Sequence, residues 1–468
     1  MKLINNGLIK FDYQFPLYNF FFPAQSSNIF APDRKRLSSL LARASEKANS
    51  RALYFHIPFC EEICSFCPFT RGLYKSDEEI DRYTQAIINE IEYKSKIIDY
   101  RSVPIRAIFF GGGTPSLLSP KNITDISEAL HRHFDMSGVE EFSFEFNITS
   151  VTPERVAALV EAGMTHARFG LQTVDATWRK LFNLNADIRK IDTAAHLLTS
   201  QVKHVLCDII YGMNGSTEDQ TLLDIDKAVS LGVSNIDIYP INNAATSVKL
   251  HKKIKETFKD VMPAIRKQNM KLMIDEHLRQ KGFMPYNGHG YVSHSNPNNE
   301  LITRDYSFVY HEHVYGYDDH DVLGFGTGAI SSMAENVITN STSRAQYMKS
   351  MLQDEYVCHV SSHPPLLDTV KPWILRLPYH GHLEKSKVDR SKLPDGLSKK
   401  INALIDAKLI QETANTLTVT RQGWLWYSNM MFYLMPEGEQ EILKKIVHEK
   451  LNVPGRDILQ NEIIYPSA

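Results

Sequence analysis

The sequence predicts an α/β chain: a parallel sheet covered by helices, followed by a smaller, mostly helical module. Three observations predict it. From Ala52 to Tyr239, short apolar runs alternate with amphipathic helical stretches through six units. Those stretches open and close on capping residues at helical spacing. After about Leu250 the alternation stops and another pattern takes over.

Taken in order, residues 1–50 show no clean periodicity, and Pro16, Pro23 and Pro32 interrupt them. A helix is expected over Arg34 to Lys47. The stretch reads as a packing arm, with a closing arm as the alternative. Ala52–Phe55 is the first strand. Ser76-x-x-Glu79 is a capping box, and Ile80, Tyr83, Ile87 and Ile91 recur at helical spacing. Ile105 to Phe110 is the second strand. Ser119-Pro120 opens a helix carrying Ile123, Ile126 and Leu130. Phe142 to Phe146 is the third strand; Thr152-Pro153 opens the next helix and Gly163 closes it. Strand Ala167 to Leu171, a helix after Trp178, strand Val205 to Tyr211, helix Thr217 to Leu231 and strand Asn235 to Tyr239 complete the series. Such alternation places the strands parallel and any site at their C-terminal ends.

Beyond it, one long helical stretch runs from Leu250 to Gln280, then a polar segment, His289 to Asn299, then Val322-Leu-Gly-Phe-Gly-Thr-Gly-Ala-Ile330. Helix Leu397 to Ala407, a hairpin around Leu417 to Val419 and helix Gln422 to Leu434 are in winged-helix order.

The 468 residues allow two or three domains, and 43% hydrophobic with 23% charged residues is ordinary for a globular protein. A net charge of −2 gives no electrostatic case for nucleic acid, so the winged-helix order reads as a lid and not a DNA reader. No apolar run is long enough to span a bilayer, and no secretory signal pattern is present. Five cysteines, three of them clustered, argue against a disulfide framework and for a reducing, cytoplasmic setting.

The cluster is Cys60-x3-Cys64-x2-Cys67, just after the first strand. Three thiolates on one loop can hold three irons of a [4Fe–4S] cube and leave the fourth open to a reactant. The other reading is structural zinc, for which only His56 is near enough to be a fourth ligand. Phe110-Gly-Gly-Gly-Thr-Pro115, at the end of the second strand, lets backbone groups approach a ligand closely. Asp208 stands among apolar residues on a strand and must find a partner.

Tyr54-x-His-Ile-Pro-Phe-Cys-x3-Cys-x-Phe-Cys67 resembles the HemN-like class of radical S-adenosylmethionine (SAM) enzymes, a likeness that runs to about Ser332 and more weakly to Leu434. The resemblance implies a partial (β/α)6 barrel with a C-terminal winged-helix-like domain. It divides the chain into an arm (1–50), a barrel core (51–250), a barrel extension (251–360) and a helical lid domain (361–468). It implies a [4Fe–4S] cluster on Cys60, Cys64 and Cys67 and two SAM molecules, with a flavodoxin or ferredoxin as electron donor. Carried over position by position, SAM contacts fall on Tyr54, Phe66, Gly112, Gly113, Thr114, Glu145, Gln172, Asp208, Ile210, Asn242 and Ile330.

Two departures shape the expected chemistry. Leu184 stands where the class usually has an arginine for a SAM carboxylate, unless Arg179 or Lys180 supplies it from a shifted register. Phe69 stands where coproporphyrinogen dehydrogenases carry a further cysteine, which argues for the methylase or chaperone branches. Pro104-Ile-x-Ala-Ile-Phe-Phe-Gly-Gly-Gly-Thr-Pro-Ser116, Val205-Leu-Cys-Asp208 and Thr420-Arg-Gln-Gly-Trp-Leu-Trp-Tyr-Ser-Asn429 resemble the anaerobic haem-degrading methyltransferases (ChuW, HutW). The resemblance therefore implies radical methyl or methylene transfer to an sp2 carbon of a porphyrin or haem. The alternatives are coproporphyrinogen dehydrogenation, natural-product methylation or cyclopropanation, and a HemW-like haem carrier. His311, His313 and His320, with Arg304, and with Arg34 and Arg36 if the arm folds over, are candidate substrate contacts; the plain alternative is a polar loop.

Overall fold

The computed structural model describes residues 4–5, 9–11, 15, 17, 22–23, 29–97, 103–242, 246–258, 262–294 and 308–451. Its centre is a run of parallel strands: β1 (Ser50–Ile57), β2 (Ile105–Gly112), β3 (Glu141–Phe146), β4 (His166–Gln172), β5 (His204–Tyr211) and β6 (Asn235–Pro240), each beside the next. Antiparallel β7 (Phe283–Pro285) and β8 (Gly290–Ser293) continue the sheet past β6. At the other edge, β9 (His320–Phe325) runs parallel to β1. Antiparallel β10 (Ile330–Met333), β11 (Asn336–Asn340), β12 (Cys358–Ser362) and Ile29–Phe30 follow it. The two outermost strands do not pair with each other, so the barrel is open.

Helices α1 (Arg34–Ser45), α2 (Asp77–Ile97), α3 (Pro120–His133), α4 (Pro153–Glu161), α5 (Ala176–Phe182), α6 (Ile188–Gln201) and α7 (Glu218–Ser230) begin and end largely where their capping residues stand. Ser119 caps α3 in a full box with Asn122, and Gly163 and Gly232 follow their helices at φ 93° and 73°. Ser76 accepts from Glu79 N at 3.3 Å, but the Glu79 carboxylate pairs with Arg344 at 3.0 Å instead of closing the box.

Strand period two sorts the side chains. Leu53, Phe55, Ile57, Ile108, Phe110, Phe142 and Phe144 meet Ile80, Tyr83 and Ile87 of α2 in one buried core. Phe55 stacks between Phe110 and Phe325 at 4.5 and 4.7 Å. Each such side chain contributes about 1.5–3 kcal/mol by leaving water.

The opposite face lines the lumen, and its lower half is filled by α10 (Val309–Tyr315). Val309 packs with Ala52, Ala107 and Val322, Tyr310 stacks on Phe109 at 4.4 Å, and Tyr310 N donates to Glu141 Oε2 at 3.0 Å. The segment that reads as a polar loop in sequence is thus a helix plugging the barrel.

Three further elements differ from expectation. Trp178 lies inside α5, ahead of the long helix α6. The stretch from Leu250 to Gln280 is two helices, α8 (Val248–Thr257) and α9 (Ala264–Gln280). Phe258 turns extended and stacks on Trp178 at 5.3 Å, in space that a Cβ on Gly215 would take, and Met262 precedes a proline, which disfavours helix there. The expected helix Gln422 to Leu434 divides at Trp426 into Arg421–Trp424 and Tyr427–Leu434.

The C-terminal module joins helix Asp395–Asp406 to a three-stranded sheet, His382–Glu384, Thr416–Val419 and Ile410–Glu412, with a core of its own. Phe11 and Phe15 of the arm belong to that core, and Phe15 N donates to Asn429 Oδ1 at 2.8 Å. Among the described residues no helix is long and apolar enough to cross a membrane.

Candidate active site at the mouth of the open barrel

The cysteine loop leaves the C-terminal end of β1. Backbone bonds staple it: Gly72 N donates to Pro58 O at 2.8 Å and Tyr74 N to Cys60 O at 2.9 Å. His56 holds the far side, with Nε2 on Thr70 O at 2.7 Å and Nδ1 on Tyr54 OH at 2.9 Å. Both imidazole nitrogens are thereby engaged, so the fourth ligand that a zinc site would need is committed elsewhere.

All three thiols are free, Cys60 buried and Cys64 and Cys67 half-buried. Burial, then the neighbouring Cys67 and Cys60, pushes Cys64 up to about 12, with Arg71 pulling the other way. Burial also raises Cys60 and Cys67, and Thr114 hydrogen-bonds Cys60. Among the described residues no three metal-binding side chains converge on one ion. A cubane asks for something else, one thiolate per iron. The donor set therefore fits a cluster better than a single ion.

Gly113 N donates to Ile57 O at 2.8 Å, and a Cβ on Gly113 would lie 2.7 Å from Phe59 O. Gly112 has φ 110°, and a Cβ there would meet the His56 ring at 2.6 Å. The glycine loop can thus lie against the cysteine loop only without side chains.

Below the loops is a layer of charge. Glu145 accepts from Gly112 N–H; burial raises its carboxyl, and Arg168 and that bond oppose the rise. Arg168 pairs with Asp237 and stands 3.5 Å from Asp208. Burial pushes Asp208 up to about 7, against the pull of Arg168, with Asp237 and Glu145 adding to the rise. Asp237 also accepts from Tyr286 OH at 2.8 Å and Tyr239 OH at 3.2 Å. Three carboxyls to one guanidinium make a lumen that favours cationic ligands such as a sulfonium or ammonium. Tyr54 stays a neutral phenol, its pKa raised by burial and then by Glu145.

The remaining expected SAM contacts fall around this layer. Gln172 ends β4 at φ 64°, where a register shift against β5 re-aims the strand. Asp208 is not at a strand end: it pairs across from Gly170 and Asp237, three residues short of Tyr211. Ile210 packs in a side cluster with Trp178 and Ile241, and Phe66 meets Phe182 edge-on at 4.7 Å. Asn242 follows β6 with Oδ1 buried and unpartnered, and Ile330 opens β10, half-buried. Leu184 belongs to the side cluster beside Phe66. Arg179 does not replace the missing arginine, because its guanidinium donates to Leu171 O (3.3 Å), Thr173 O (3.1 Å) and Ala186 O (2.5 Å).

The substrate candidates divide. His311 is buried on α10 close enough to feel Arg168 and Asp237, facing the carboxylate layer. His313 and His320 stack at 4.9 Å at the N-terminal ends of the strands, His313 Nε2 on Ser50 Oγ at 2.7 Å, so the structure does not bring them to the mouth. Arg304 lies outside the described residues. Arg34 and Arg36 sit over Tyr93 and Phe30 and serve packing. Sequence reasoning missed Arg168, Asp237 and Tyr239. Their signal was alternation: His166, Arg168, Gly170 and Gln172 share one face of β4, as Asp237 and Tyr239 share one face of β6.

Comparison with known proteins agrees with this arrangement. The description Radical SAM superfamily matches residues 54–228. The chain is 26% identical over 394 residues to anaerobilin synthase of Escherichia coli O157:H7, across 81% of this chain and 83% of the relative. It is 24% identical to oxygen-independent coproporphyrinogen III oxidase of Salmonella typhimurium across 73% and 74%. Identity to heme chaperone HemW of Lactococcus lactis is 28%, across 42% and 50%. The solved structure of coproporphyrinogen III oxidase (HemN) from Escherichia coli superposes with a TM-score of 0.72 at 18% identity, covering 86% of this chain and 93% of that one.

Proposed function

We propose that the chain is a HemN-like radical SAM enzyme, built on a [4Fe–4S] cluster and SAM, that transfers a methyl or methylene group to an sp2 carbon of a tetrapyrrole, using a second SAM as donor. The observation that carries the choice is Phe69: a half-exposed ring at 52% occupies the cysteine-loop position where the dehydrogenases carry a thiol. The likeness to anaerobilin synthase over most of both chains supports it, whereas the likeness to the carrier HemW covers about half of each.

When bound, the cluster and SAM supply a 5′-deoxyadenosyl radical for hydrogen abstraction. The protein's part is to hold and to exclude. Cys60, Cys64 and Cys67 hold the cluster, with Thr114 and Arg71 beside the thiols. Glu145 and Asp208 receive the cationic and hydroxyl groups of SAM, and Gly112, Gly113, Gln172 and Ile330 shape its bed. Asn242 Oδ1 is a buried acceptor awaiting a donor. Tyr54, Phe109 and Tyr310 form an aromatic floor that excludes water from below. In this reading residues 51–250 bind the cofactors, 251–360 supply the plug and 361–468 a wall, and a flavodoxin or ferredoxin delivers the electron.

The test is anaerobic turnover of a haem or porphyrin with deuterated-methyl SAM and reductant. Label is expected in the product and in 5′-deoxyadenosine, with S-adenosylhomocysteine formed alongside. A modified product without label in either molecule, together with carbon dioxide, overturns methyl transfer in favour of decarboxylation.

A further inference from the structure

At the seam between β7–β8 and the C-terminal module, two buried donors face no acceptor. The first is Lys271 on α9, 8% exposed, whose ammonium meets only the face of the Tyr427 ring, 4.4 Å from its centroid. The nearest carboxylate, Asp275 one turn on, is taken: it accepts from Arg279 Nε at 2.9 Å and Tyr291 OH at 3.2 Å and lies 3.5 Å from Arg421 Nε. The second is Asn287, 1% exposed. Its Oδ1 accepts from His289 N at 3.1 Å and Gly290 N at 2.7 Å, while its Nδ2 has no partner.

Both border one surface. A Cβ on Gly288, next to Asn287, would lie 2.3 Å from the Tyr427 ring, so the Asn287 turn and Lys271 both pack against that ring. The seam also joins the lumen. His289 lies 4.3 Å from the Tyr239 ring, within 3.3 Å of Tyr379 OH, and 3.9 Å from Asp237, the partner of Arg168.

A buried ammonium and a buried amide N–H without acceptors each cost free energy that a ligand acceptor would recover. Burial also pushes Lys271 down to about 7, a value that a counter-charge would raise. We propose that Lys271 and Asn287 form a receptor for a carboxylate side chain of the substrate, anchoring it at the seam beside the lumen. The inference rests on the tetrapyrrole reading above and deepens it, since peripheral carboxylates are what such a substrate offers. A carboxylate satisfies both donors at once and supplies the missing charge; a cationic group satisfies neither.

The test is equilibrium binding to the SAM-loaded holoprotein, without reductant, so that no turnover is needed. The probes are protoporphyrin IX and its dimethyl ester in one detergent, read by absorption and fluorescence. The wild type is expected to bind the diacid on the order of 10- to 100-fold more tightly than the ester, the effect of one charge-assisted hydrogen bond. Lys271→Met should bind both with the ester's affinity. Asn287→Asp keeps the shape of the turn but replaces the amide donor with a carboxylate that repels the ligand's own, so it should lose the diacid preference as well. Should Lys271→Met fail to retain iron and SAM binding, Asn287→Asp carries the test alone. Equal wild-type affinity for diacid and ester, or variants that bind the diacid as the wild type does, overturns the receptor and leaves the tetrapyrrole reading standing. No binding of either porphyrin by the loaded wild type overturns both.

Discussion

If Asp208 receives SAM as proposed, SAM affinity should depend on pH in a direction fixed by the surroundings of its carboxyl. Its carboxyl stands at about 7 because burial, Asp237 and Glu145 outweigh Arg168. The folded value lies above the ordinary 3.8, so the carboxylate is scarce below pH 7 and complete above it. A ligand that donates to the carboxylate should bind in proportion to the ionised fraction. Its dissociation constant scales as one plus ten to the power of (about 7 minus pH), which is roughly 11 at pH 6 and 1.1 at pH 8, an increase in affinity of about tenfold. The same shift bears on stability: keeping Asp208 ionised works against the fold by on the order of 4 kcal/mol, a cost absent in acid and fully present above about pH 7. Asp208→Asn should flatten the pH profile of SAM binding, and at about pH 8 it should be no less stable than the wild type. The assay is anaerobic calorimetry of the unreduced holoprotein with SAM across this range. The amino group of SAM titrates nearby, but identically against both proteins, so the ratio of the two affinities isolates Asp208. A variant that keeps the wild-type slope refutes the assignment of Asp208 to the binding site.

Cys64→Ala should lose most of the four irons and the broad absorption near ~400 nm that thiolate-ligated clusters show; full iron with full SAM cleavage would remove Cys64 from the ligand set. Gly113→Ala drives a methyl group to 2.7 Å from Phe59 O and should lower both cluster retention and SAM affinity, read as iron content and calorimetric affinity; unchanged values would mean that the two loops are not packed as described. Glu90 is fully buried and accepts from Gly326 N (2.8 Å), Asn340 Nδ2 (2.8 Å), Tyr347 OH (2.6 Å) and Lys94 (2.6 Å), so Glu90→Ala should cost about 3–5 kcal/mol by denaturant melt, with faster hydrogen exchange at Gly326 and Thr327. A cost near zero would mean that the loop before Ile330 does not depend on this carboxylate.

The parts legible in the sequence are those written in short-range signals. Strand runs, the Ser119 and Thr152 caps and the three cysteines each act within a few residues, and the structure places the elements where those signals stand. Long-range decisions left weaker marks. Little that is local says that Val309–Tyr315 enters the barrel; of its apolar partners only Val322 is near in the chain, while Ala52 and Ala107 come from the two distant strands β1 and β2. The break between α8 and α9 depends on Phe258 finding Trp178, some eighty residues away. The histidines were visible as a group, but a count of imidazoles does not say which one faces the lumen. Only the packing of α10 turns His311 towards Arg168 and His313 towards Ser50.

That division follows from the two-residue period of a strand. In β1, β3, β4, β5 and β6 one face carries Phe55, Phe144, Phe169, Ile209 and Ile238 into the helical shell, and the other carries Tyr54, Glu145, Arg168, Asp208 and Asp237 into the lumen. The apolar face fixes the register, because a slip of one residue would bury the carboxylates among α2 and α3 and expose the phenylalanines. The chemistry on the inner face is therefore held in place by side chains that take no part in it. It can also concentrate like charge: three carboxyls around one guanidinium work against the fold, and the outer core supplies the free energy that keeps them together. Above that layer the C-terminal strand ends are held by backbone contacts, Gly112 and Gly113 packed against the cysteine loop and Gln172 re-aimed by the register shift against β5.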